Sequence, residues 1–158
     1  MRVGIGYDAH RLVAGRPLVL AGVRVPYDRG LEGFSDADVA AHAVIDALLG
    51  AAGLGDCGSR FPAGDARYAG ADSLDLLRQA VTLLANAGFA VGNVDCTIVA
   101  EQPALAPHVD AMRAALAAAL HVAPERVSVK PKRTEGLGFA GEGAGIEAYA
   151  VALLEEAR

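Results

Sequence analysis

Hydrophobic and polar positions alternate along the chain with two different periods. Met1 to Tyr7, MRVGIGY, reads as a first strand. Arg16 to Tyr27, RPLVLAGVRVPY, reads as a second strand with a turn at Gly22, or as a hairpin. A Gly-bearing loop, DRGLEGF, follows. From Ser35 to Gly53, SDADVAAHAVIDALLGAAG, the spacing becomes helical, with Ser35 as cap and Asp38 three residues later in a capping-box pattern. Leu54 to Gly70 is a loop rich in Gly and Asp. A second helix is expected over Asp72 to Gly88, capped by Asp72 or Ser73 and stopped by Gly88. A strand, AVGNVDCTIVAEQ, comes next, then a third helix starting near Pro107, then the strand ERVSVKPKR. TEGLGFAGEGAG is a Gly-rich loop. The tail IEAYAVALLEEA is ambiguous, because its alternation fits a strand and its Ala and Leu content fits a helix. Strands and helices that take turns predict an α/β or α+β layered fold, a mixed sheet covered by helices on one face.

Composition narrows this further. The chain has 158 residues, 53% of them hydrophobic, enough for one domain with a real core, spanning residues 1–158. Net charge is −5 with no basic run, which argues against a nucleic-acid partner. Two cysteines, Cys57 and Cys96, cannot form a disulfide framework and fit a reducing cytoplasm. No apolar run is long enough to span a membrane, and no signal-peptide core precedes the first strand.

The candidate chemistry begins with an odd pair. Asp8 and His10 sit two residues apart, so on a strand both would point the same way. Two hard-to-bury groups aimed at one point suggest a metal; a solvated turn is the other reading of Asp-x-His. His42 lies inside the first helix, and Asp38, His42 and Asp46 share a stripe at i, i+4, i+8. That stripe is either a polar helix face with local pairs or a ligand with carboxylates to orient its second ring nitrogen. Asp8, His10 and His42 together offer two imidazoles and a carboxylate, a set that suits zinc with its fourth position open. Ser35 and the helix N-terminus favour phosphate. Asp56 and Asp65 are either site groups or turn residues. Glu135, after Thr134, is a candidate ligand for a second, hard cation. His108 and His121 read as structural.

These residues fall into stretches that resemble a known family. GYDAHRL, SDADVAAHAVIDALLGAAGLGDCG, FPAGD, GADS, GNVDCTIVAEQPALAPH, TEGLGF and GIEAYAVALL are similar, in order and over nearly the whole chain, to 2-C-methyl-D-erythritol 2,4-cyclodiphosphate synthases. The resemblance implies cyclisation of a CDP-linked methylerythritol 2-phosphate to a cyclic diphosphate with release of CMP, in non-mevalonate isoprenoid biosynthesis. It implies zinc on Asp8, His10 and His42, and a Mg²⁺ or Mn²⁺ near Glu135. It implies catalytic roles for Ser35, Thr134 and Glu135. Asp56 and Gly58 match contacts to the methylerythritol or ribose moiety; Phe61 to Asp65 match a loop that holds substrate; Ala100 to Ala106 match a cytosine cradle. Asp46 and Phe139 complete the substrate-contacting set with Asp8, His10, Ser35, Thr134 and Glu135. Three copies are expected to form a homotrimer with active sites between neighbours.

Some positions depart from the family pattern. Phe34 stands where His usually precedes Ser-Asp, FPAGDA lacks a usual Thr and Pro, and Arg133 replaces a small hydroxyl residue. Ala104 stands where Lys is common, and Glu142 where an Arg often faces the trimer's central cavity. Phe34 cannot donate a hydrogen bond to phosphate, and loss of one such donor costs on the order of 2–4 kcal/mol in a transition state. Arg133 offers phosphate a charged fork, or it obstructs the site. A catalytically impaired metal-binding trimer is therefore the rival reading. A zinc phosphodiesterase would use the same ligands to activate water, but no residue obviously positions one.

Overall fold

A computed structural model describes residues 1–157. Its central element is the first strand, β1, which runs from Arg2 to Ala14, well past the expected end at Tyr7. Asp8 and His10 thus sit in mid-strand, not in a turn. A short hairpin follows, β2 (Leu18–Leu20) and β3 (Val23–Val25). Its two central residues, Ala21 and Gly22, both have positive φ, as a two-residue turn matched to strand twist requires. The loop expected at DRGLEGF contains a three-residue strand, β4 (Arg29–Leu31), paired with the end of β1. Three residues are too few for periodicity to reveal.

The first helix, α1, spans Val39–Ala52 and begins later than the sequence suggests. Ala37 has φ 58, so helical backbone cannot start at Ser35. The cap is Asp38, not Ser35, and the capping box between them does not form. Asp38 is fully buried, accepts from the Ala41 N–H, and also ties down the hairpin turn through the N–H groups of Ala21 and Gly22. The expected loop after α1 carries a one-turn helix, α2 (Cys57–Arg60), closed by a capping box between Asp56 and Ser59. Helix α3 (Ser73–Asn86) has Asp72 as its cap. Strand β5 (Phe89–Val99), helix α4 (Val109–Leu120) and strand β6 (Val127–Lys132) follow near their expected positions. A short turn of helix, α5 (Gly138–Gly141), interrupts the Gly-rich segment. The ambiguous tail is a strand, β7 (Gly145–Glu156). Its alternation decides the matter: Ile146, Ala148, Ala150, Ala152 and Leu154 are buried, while Tyr149 and Val151 face outward.

The five-stranded sheet has the order β4-β1-β7-β5-β6, antiparallel except for the parallel β5–β6 pair. The sheet is mixed, as expected. Helix α1 lies directly on β1 because Gly4 and Gly6 leave room for it. A Cβ at Gly4 would come within 2.0 Å of the Ala47 carbonyl oxygen, and one at Gly6 within 1.8 Å of that of Ala43. The strand positions that face α1 are therefore Gly4, Gly6, Asp8 and His10 in succession. The opposite face of β1 carries Val3 and Ile5, 67% and 72% exposed, beside Tyr7, Tyr149 and Val151. That apolar surface has no covering layer in the single chain.

Candidate metal centre and adjoining cavity

Helix α1 is buried nearly all round; among its residues only His42, Asp46 and Gly50 reach the surface. The close strand–helix contact brings His42 over Asp8. Asp8 Oδ2 lies 2.8 Å from His10 Nε2 and 3.0 Å from His42 Nδ1, and the two ring nitrogens are 3.4 Å apart. All three groups are partly buried, and their donor atoms lie within 4.8 Å of one another.

The outer hydrogen bonds assign the tautomers. His10 Nδ1 lies 2.8 Å from the carbonyl oxygen of Glu32, which can only accept, so that nitrogen carries the proton. His42 Nε2 lies 2.9 Å from Ser73 Oγ, whose own proton goes to Asp36 Oδ1. Ser73 thus accepts from His42, and Nε2 carries that ring's proton. Lone pairs of His10 Nε2, His42 Nδ1 and Asp8 Oδ2 then converge on one point. Three electron-rich atoms in contact repel unless a cation sits among them. The residues present therefore fit a divalent metal.

The electrostatics agree. When the rings are protonated instead, burial pushes the Asp8 carboxyl up, but hydrogen bonds and charge from His10 and His42 outweigh it and bring Asp8 down to about 2. Burial pulls the His10 imidazole down, yet the Asp8 contact leaves it raised. The lowered Asp8 and the raised His10 together favour an ionised carboxylate beside a positive charge.

A cavity of about 250 Å³ opens beside the cluster. Asp8, His10, Ser35, Asp46, Gly58 and Phe61 line it, as do Phe34 and Cys57. Asp46 accepts from the Cys57 N–H, so it holds α2 against α1. Asp56 caps α2 at the cavity edge, and Asp65 is paired with Arg67. Asp38, which shares a stripe with His42 on paper, points into the hairpin turn. The nearer partner of the second His42 nitrogen is therefore a hydroxyl from α3, with Ser35 Oγ farther off at 3.3 Å, and not a carboxylate of α1. Asp36 and Ser73 escaped sequence reasoning as site residues because each looked like a helix-start residue; only the meeting of two distant loops reveals their contact.

The remaining predicted residues lie elsewhere. Ala100 and Arg133 line a second cavity of about 190 Å³, where Arg133 is paired with Glu101. Thr134 follows directly, its N–H donating to Glu101. Glu135 is exposed with φ 54. Phe139 lines a third hollow with Arg11 and the outer side of His10. Thr134 follows β6, which lies three strands from β1 in the sheet, and its side chain packs beside Gly141. Neither Thr134 nor Glu135 lines the cavity beside the metal cluster.

Known proteins share this chain's sequence and fold. The 2-C-methyl-D-erythritol 2,4-cyclodiphosphate synthases of Moorella thermoacetica and Symbiobacterium thermophilum are each 60% identical over 154 residues; the match covers 98% of this chain, and 94% and 98% of those proteins. A solved structure of 2C-methyl-D-erythritol-2,4-cyclodiphosphate synthase in a CDP-bound form superposes with a TM-score of 0.90 at 38% identity, covering 98% of this chain and all of that one (100%). No helix among the described residues is long and apolar enough to cross a membrane. A sequence model of the YgbB family matches residues 1–155, so sequence, fold and the strand–helix cluster agree that the chain belongs to the YgbB family.

Proposed function

We propose that this chain is a cyclodiphosphate synthase that converts 4-CDP-2-C-methyl-D-erythritol 2-phosphate into 2-C-methyl-D-erythritol 2,4-cyclodiphosphate and CMP, in isoprenoid biosynthesis. The observation that carries the reading is the convergence of Asp8, His10 and His42 beside a cavity, in a chain 60% identical to named synthases along nearly its full length. Asp8, His10 and His42 would hold zinc, and Glu135 a Mg²⁺ or Mn²⁺. Bound there, the metals would polarise and neutralise phosphate oxygens.

The chain's own residues do the positioning. Ser35 Oγ accepts from the Ala37 N–H and sits 3.3 Å from His42 Nε2, so its hydroxyl is held at the cavity wall, where a phosphate would sit. Asp46, Gly58 and Phe61 line the adjoining hollow for the methylerythritol portion, and Asp56 and Asp65 would serve the same portion from the neighbouring loop. Ala100, Thr134, Glu135 and Phe139 serve the nucleotide and diphosphate. An intramolecular phosphoryl transfer depends mainly on in-line positioning, which supplies several kcal/mol of rate. The attacking 2-phosphate is already ionised at neutral pH, so no protein base has to activate it.

The separation of Thr134 and Glu135 from the metal cluster favours a site shared between copies in a homotrimer, with the uncovered face of β1 and β7 turned toward the neighbours. Light scattering at micromolar concentration should give a trimer; a monomer would sink the shared site. The unpaired thiols of Cys57 and Cys96 suit a cytoplasmic home.

Two observations favour a slowed enzyme. Phe34 lines the cavity with a ring that offers phosphate no donor, and Arg133 is engaged by Glu101. Incubation with the CDP-linked substrate should release CMP and form the cyclic product. No CMP with zinc bound would favour an inactive scaffold, and a linear diphosphate would favour hydrolysis.

A further inference from the structure

Two polar residues, the buried Ser73 and the partly buried Asp36, have no task in the scheme above. Ser73, with 0% exposure, is the first residue of α3, whose cap is Asp72. Asp36 precedes α1, whose cap is Asp38. Neither helix needs them at its terminus. Instead they bind each other: Ser73 donates both its hydroxyl and its backbone N–H (3.0 Å) to Asp36. Asp36 is fixed in turn, since its N–H donates to the Ala71 carbonyl at 3.0 Å and its carboxylate accepts from the Asp38 N–H at 3.0 Å. The one contact this assembly makes toward the cavity is from Ser73 Oγ to His42 Nε2, at 2.9 Å.

We infer that Asp36 and Ser73 form a positioning relay that fixes the tautomer and ring orientation of His42 for metal binding, an inference that rests on the metal reading above. Asp36 takes the serine proton, so the Ser73 oxygen is left as an acceptor. That acceptor holds the His42 proton on Nε2. The Nδ1 lone pair then stays turned toward Asp8 and His10. A hydroxyl free to rotate could donate to Nε2 equally well and would turn the ring's other nitrogen into the protonated one. The carboxylate removes that choice. His10 needs no such relay, because a main-chain carbonyl can only accept.

The test is zinc affinity, measured by competition with a chromophoric chelator, for wild type, Ser73→Ala, Ser73→Thr and His42→Ala. Ser73→Ala should weaken zinc about 10–100-fold, while Ser73→Thr, which keeps the hydroxyl, stays closer to wild type. Thermal unfolding of the zinc-free proteins should separate this loss from a general loss of fold. In zinc-loaded wild type the His42 Nε2–H should also be a downfield proton resonance in slow exchange with water. Equal zinc affinity in wild type and Ser73→Ala, with His42→Ala deficient, would overturn the relay. So would a fast-exchanging His42 proton in wild type. Wild-type protein that fails to bind zinc at all would instead overturn the metal reading.

Discussion

The Asp8–His10–His42 cluster and the Thr134–Glu135 segment both carry residues of the proposed reaction, but they are built differently. The first is complete within one chain. Two glycines let α1 settle on β1, every ligand is partly buried, and each histidine has its outer proton committed to an oxygen. The second is a loop after the edge strand β6, with Glu135 exposed on a left-handed backbone and Thr134 tied to Glu101. A metal that one chain grips firmly can remain bound between turnovers. In the proposed trimer, a second cation near Glu135 would have a looser site, to be completed by substrate and a neighbouring copy.

Paired substitutions break this comparison most sharply. His42→Ala removes one of three ligands, so zinc should fall from about one per chain to a small fraction, and activity with it. Glu135→Gln should leave zinc content unchanged while cutting turnover by about 10²–10³, the usual loss for one charge-directed contact in a transition state. Metal analysis beside CMP-release rates reads both. Zinc loss in Glu135→Gln would show that the two regions are one site.

A smaller effect is expected at the cavity wall. Phe34→His restores a donor beside Ser35 and should raise turnover by about ten- to a thousand-fold, with zinc content unchanged. An unchanged rate would show that the rigid half of the site already supplies what the reaction needs.

The mildest test concerns the scaffold under the cluster. Gly6→Ala forces a methyl against the Ala43 carbonyl oxygen and should cost about 1–3 kcal/mol, seen as a melting point several degrees lower. Because the same contact sets the distance from Asp8 to His42, zinc affinity should fall along with stability. Zinc affinity that stays constant as the melting point drops would mean that the cluster adjusts independently of helix spacing.

Local pattern was enough to pick out the three residues of the candidate metal cluster and most helices and strands. Asp8 and His10 share a face because strands have a period of two, and His42 lies on a helix stripe because helices have a period near four residues. Family resemblance added the reaction and the remaining site residues. Local pattern misplaced the start of α1, since nothing before Ala37 signals its left-handed backbone, and it missed β4, whose three residues are held only by pairing with β1.

What the sequence by itself determined is which groups could act: a carboxylate and two imidazoles, a phosphate-directed serine, and an acidic residue after Thr134. Only the tertiary structure decided which of them meet. Asp38 and His42 are neighbours on a helix, yet Asp38 serves a hairpin turn 16 and 17 residues upstream, while His42 takes its partner 31 residues downstream on α3. Side-chain periodicity fixes directions within one element. Which protons go to which acceptors depends on how separate elements pack, and in this chain that packing follows from two glycines small enough to let α1 touch β1.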